Sequence, residues 1–202
     1  MKPCLVGILI LIAAGPAAAG EFNPTLNIGD PAPAWNNLDG TDGNKHSLAD
    51  LKDKPVVVVV FTCNSCPIAV DYEDRIIAFA NQYAPADARV ALVAINVNTI
   101  PEDRLPKMTE RAAKKKFPFA YLYDPTQDIA KQYGARYTPE FFVLNAERKI
   151  VYMGAMDDRN RAADATVNYL QAAVTATLAG RPVAKPETLA RGCRIRWNRA
   201  QD

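Results

Sequence analysis

Two segments dominate the chain, the unbroken apolar run Val56 to Phe61 and the segment Val90 to Asn96, apolar up to its final asparagine. Runs of this length, rich in β-branched residues, predict strands covered on both faces. Between them Tyr72, Ile76, Phe79 and Tyr83 recur at steps of four, three and four, the spacing of one helical face. Ser65 is a candidate N-cap for that helix, Pro67 suits its first turn, and Pro85 ends it. The stretch from Pro101 to Lys116 predicts a second helix, with Lys114 to Lys116 in its last turn as a solvated, dipole-complementing end. Ala120 to Tyr123 predicts a short strand, and Thr126 to Tyr133 a short helix that stops at Gly134. Phe141 to Leu144 and Ile150 to Met153 predict strands joined by a tight turn. Val167, Leu170, Val174 and Leu178 then mark the apolar face of a closing helix before Gly180.

Strands alternating with helices, followed by a hairpin and a last helix, predict an α/β fold with a central mixed sheet flanked by helices. Residues 21–54 are rich in Pro, Gly, Asn and Asp and read as an irregular N-terminal extension with a hairpin at Asp42-Gly43. The pattern gives one domain over residues 20–180 and a C-terminal tail over 181–202.

Residues 1–19 stand apart. Lys2 precedes the apolar run Leu5 to Ala14, and Ala17-Ala18-Ala19 offers a small-residue cleavage site, the layout of a signal peptide. The run is far shorter than the roughly 20 residues that span a bilayer. The chain is therefore expected to be exported, periplasmic or extracellular, with no membrane span after cleavage. A net charge of +2 over 202 residues provides no general electrostatic case for nucleic acid as partner. Cleavage removes Cys4 and leaves Cys63, Cys66 and Cys193 in an oxidising compartment.

Cys63-Asn64-Ser65-Cys66 falls at the junction of a predicted buried strand and a helix. Helix N-terminal N–H groups stabilise a thiolate, the species that attacks disulfides, so Cys63 is the expected nucleophile. Cys66, one turn on, would resolve the mixed disulfide. Zinc shares this spacing but needs four ligands, and the mature chain adds only Cys193 and His46. No metal or other cofactor is expected. Thr138-Pro139, just before a strand, would line the substrate groove if its peptide bond were cis. In the tail, Cys193, Ile195 and Trp197 alternate with Arg194 and Arg196 and would share one face of an extended segment. The preferred reading of Cys193 is a buried, inert thiol; the other is a third redox cysteine that relays the disulfide.

These residues resemble the thioredoxin superfamily, in its peroxiredoxin-like (redoxin) branch. The resemblance is carried by Gly29-Asp30-Pro31-Ala32-Pro33, Phe61 to Pro67, Tyr121 to Asp124, Tyr133-Gly134, Thr138 to Phe142, and Gly192 to Trp197. It implies a thioredoxin fold with an insertion after Asn96, and dithiol–disulfide exchange with Cys63 attacking, Cys66 resolving and Pro139 shaping the groove. The partners implied are a protein or small-molecule disulfide or dithiol and a redox donor. Two features of the family are missing. Val56 and Val60, or Val59 and Cys63 in the other register, stand where peroxiredoxins carry a proline and a threonine. The strand before the motif also lacks the buried acid of thioredoxins, which leaves Asp71, Glu73 and Glu140 as candidate bases for Cys66. A thiol-dependent peroxidase is the alternative enzyme. A copper-binding module using the two thiolates and His46 is the alternative from another class.

Overall fold

The computed structural model describes residues 20–83 and 89–198. The expected signal peptide, and Pro85 as a helix stop, lie outside the described residues. In chain order the strands are β1 (Leu38–Gly40), β2 (Lys45–His46), β3 (Val56–Phe61), β4 (Val90–Asn96), β5 (Ala120–Tyr123), β6 (Tyr137–Thr138), β7 (Glu140–Leu144), β8 (Ile150–Gly154) and β9 (Cys193–Arg194). The helices are α1 (Pro67–Tyr83), α2 (Leu105–Lys115), α3 (Asp128–Gln132) and α4 (Tyr169–Leu178).

Seven strands form one mixed sheet in the order β2-β1-β5-β4-β3-β7-β8, and β6 and β9 form a separate ribbon. β3 runs parallel to β4 and antiparallel to β7. All six of its residues are fully buried, as its continuous apolar run requires. Val57, Val59 and Phe61 pack on one face with Trp35, Tyr133 and Phe142. Val56, Val58 and Val60 pack on the other with Tyr72 and Ile76 of α1 and Leu170 and Val174 of α4. The sheet thus fixes the carboxyl end of β3, where the two cysteines of the motif begin.

The structure departs from the sequence pattern in several places. Ser65 does not cap α1: its hydroxyl donates to Asp103 at 2.6 Å, and the helix starts at Pro67. The helix expected from Pro101 is split, because a 3-10 turn over Pro101–Asp103 is followed by extended Arg104, and α2 starts beyond it with Pro106 in its first turn. Lys115 is not simply solvated; it pairs with Asp74 of α1 at 2.9 Å. Val167 lies ahead of α4 and is exposed, since the side chain of Asn168 caps that helix through the Gln171 N–H. Residues beyond α4 return to the sheet: the Met153 N–H donates to the Pro186 carbonyl, the Thr188 N–H to the Met153 carbonyl, and Ile195 enters the core.

Candidate active site

The chain leaves β3 at Phe61, crosses Thr62 to Cys66 and enters α1 at Pro67. From across the sheet, the Thr138–Pro139 loop meets this junction. Its peptide bond is cis. The Cys63 sulfur lies 3.4 Å from the Thr138 hydroxyl, and the Cys66 sulfur 3.3 Å from the Thr138 carbonyl oxygen. The Ala69 N–H donates to the Cys66 sulfur at 3.3 Å. Both cysteines are only 3% exposed. Four of the residues singled out in the sequence are therefore brought together.

The fifth is there as well, and not as an inert thiol. Cys66 and Cys193, 127 positions apart in sequence, form a disulfide with Cα atoms 5.9 Å apart. Cys63 is the free thiol among the described residues. The reason is the β6–β9 ribbon, which sets Cys193 opposite Thr138, the residue whose carbonyl touches Cys66. Gly192 permits the approach, because a Cβ there would run into the Thr138 carbonyl. The expected common face of the tail does not extend to Trp197: Ile195 is buried but Trp197 is 43% exposed, and β9 stops at Arg194.

Sequence reasoning missed Asp103. It sits in the 3-10 turn after β4 and is fully buried. Its carboxylate accepts from the N–H groups of Asn64 (2.7 Å) and Ser65 (3.0 Å), from the Ser65 hydroxyl, and from the Asn98 side-chain amide (3.1 Å). Asn64 is held further by Tyr121, whose hydroxyl donates to its side chain at 3.1 Å. An acid two residues after Pro101, beside Glu102, gives no sequence signal for this role; only β4 lying beside β3 brings it to the motif.

Asp103 also alters the electrostatics expected of the junction. Two N–H groups that a thiolate could have used are bound to its carboxylate. Burial pushes the Cys63 thiol above its ordinary value, and the Asp103 charge adds to that. The Thr138 hydroxyl, the Cys66 N–H and the Ser65 hydroxyl act in the opposite sense. With the tail docked, the balance of these influences holds the Cys63 thiol above its ordinary value. Of the candidate bases, Glu73 is engaged by Arg111 at 2.7 and 2.9 Å, and Asp71 is exposed. Glu140, next to Pro139, accepts the N–H groups of Arg136 and Tyr137, and burial raises its carboxyl to about 7.

Comparison with known proteins bears on this geometry directly. Residues 27–170 match the family model described as Redoxin, a span that includes both motif cysteines and the cis-proline loop. The chain belongs to the Redoxin family. Among solved structures this redoxin is similar to a hypothetical protein from Sinorhizobium meliloti, at 34% identity and TM-score 0.81, covering 88% of this chain and 98% of that one. It is equally similar to an uncharacterized conserved protein from Geobacillus kaustophilus, at 35% identity and TM-score 0.81, covering 88% and 96%. A candidate thiol:disulfide interchange protein DsbE from Chlorobium tepidum shares the fold at 22% identity and TM-score 0.63, covering 76% and 99%. Nothing among curated proteins matches. The fold is thus the thioredoxin fold, and the family is one of oxidoreductases.

His46 lies on β2, at the sheet edge remote from β3, with its Nε2 3.0 Å from the Asp42 carboxylate. No group of three or more His, Cys, Asp and Glu side chains suited to a metal occurs among the described residues. Val56 and Val60, the positions counted back from Cys63, are fully buried in β3. No helix among the described residues is long and apolar enough to cross a membrane.

Proposed function

We propose that this redoxin is an exported thiol–disulfide oxidoreductase working through Cys63 and Cys66. The observation that carries the reading is the contact of both sulfurs with one residue, Thr138, beside the cis-proline. With Cys66 reduced, the Cys63 thiolate attacks one sulfur of a protein or small-molecule disulfide, and the other leaves as a thiolate. Cys66 then attacks the Cys63 sulfur, forms the Cys63–Cys66 bond and expels the second substrate thiolate. Two electrons have passed to the substrate, and an external dithiol donor returns them to the pair. The same steps in reverse oxidise a dithiol. Export is supported by the charge, apolar run and small-residue site of residues 1–19.

Reduction of insulin disulfides by the reduced protein tests this. Cys63→Ser is expected to abolish the activity, and Cys66→Ser to stall as a mixed disulfide on Cys63. Undiminished insulin reduction by Cys63→Ser would refute the assignment.

A further inference from the structure

The Redoxin match ends at residue 170, so the cysteine bonded to Cys66 comes from outside it. The segment carrying Cys193 is held by more than its disulfide. The Ile195 N–H donates to the Arg136 carbonyl at 2.9 Å, and the Arg196 N–H to the Asn98 side chain at 3.0 Å. Gln127 donates to the Arg196 carbonyl (2.9 Å) and accepts from the Asn198 N–H (2.8 Å). Ile195 is buried in the core. Docked in this way, β9 pairs with β6 at Thr138, beside the two motif sulfurs. On the reading above, that is where a substrate strand would lie.

Cys63 lies beside the tail disulfide. It belongs with Cys66 and Ala69 to one buried cluster, against which Cys193 packs. The tail is also wired to the motif: Asn98 accepts from Arg196 and donates to Asp103, and Asp103 holds Asn64 and Ser65.

We propose that Cys193 is a third redox cysteine and that Cys66 exchanges between Cys193 and Cys63. The tail is then a tethered strand that closes the groove in one disulfide isomer and vacates it in the other. This rests on the Cys63–Cys66 reading. In the step, the Cys63 thiolate attacks the Cys66 sulfur. The Cys63–Cys66 bond forms as the Cys66–Cys193 bond breaks, and the electron pair of the broken bond leaves on Cys193. Cys63 has given up a proton and Cys193 takes one up. No electrons enter or leave, so no co-reactant is needed.

The test oxidises the purified chain in glutathione buffers, alkylates the free thiols and reads the pairing from peptide masses. Two isomers are expected, Cys66–Cys193 with Cys63 alkylated and Cys63–Cys66 with Cys193 alkylated. Because they differ by no electrons, their ratio stays constant as the glutathione potential is changed. Gly192→Ala, which keeps every sulfur but crowds Thr138, shifts that ratio toward Cys63–Cys66 by about tenfold or more. A single pairing in the wild type, or a ratio that follows the potential, overturns the proposal. The insulin assay on the same preparation separates the two failures. Insulin reduction with one isomer only sinks the relay and leaves the dithiol enzyme; two isomers without insulin reduction sink the enzyme and leave the exchange.

Discussion

Cys193 lies directly across an antiparallel ribbon from Thr138, and that pairing selects the partner of Cys66. Thr138 faces the site with two groups of opposite chemistry. Its hydroxyl reaches Cys63, and its carbonyl oxygen contacts Cys66. One backbone position thereby holds the thiol, the disulfide and the docked tail in register.

Thr138→Val keeps the shape of the side chain and removes the hydroxyl. That hydroxyl opposes the burial that raises the Cys63 thiol, so its loss pushes the thiol further up. The alkylation midpoint of Cys63 is expected to move to higher pH. Folding stability falls by only about 0.5–1.5 kcal/mol, the net value of one hydrogen bond.

Asp103→Asn acts in the other direction. The buried charge beside the motif disappears, and the Cys63 midpoint moves to lower pH. An amide oxygen cannot serve all the donors that now converge on the carboxylate. Denaturant unfolding is therefore expected to show a loss of about 1–3 kcal/mol. Alkylation that moves upward instead would mean that Asp103 does not govern the thiol.

Glu140 makes stability depend on pH. Its carboxyl is raised by burial from an ordinary 4.5 to about 7, so the folded protein holds this proton more tightly than the unfolded chain does. The contribution is complete below pH 4.5 and is lost as pH rises through 7. In size it is about 3 kcal/mol. Glu140→Gln is expected to flatten the stability profile across that window, read by urea unfolding from pH 4 to 8.

Much of this could be read from the chain because the decisive signals were local. Val56–Phe61 is apolar throughout and Val90–Asn96 is apolar up to its last residue, and both become central strands with the bounds their pattern predicts. Cys63 and Cys66 were legible from their own spacing at a strand–helix junction, and Thr138-Pro139 from its place just before a strand together with the family resemblance. The pairing of Cys193 was not legible. It depends on a two-residue ribbon between segments more than fifty positions apart, and free cysteine is so often buried that composition favours an inert thiol. Asp103 was hidden for a similar reason: its partners are Asn64 and Ser65, nearly forty residues away, and its own turn reads as the start of a helix.

The most direct test of the account is the redox titration of Cys193→Ser in glutathione buffers, with pairing read by alkylation and peptide mass. The expected result is a single reversible two-electron transition in which Cys63 and Cys66 lose and regain their thiols together. A variant in which Cys63 and Cys66 never join, and Cys63 stays alkylatable at every potential, would contradict the assignment of these two cysteines as the working pair.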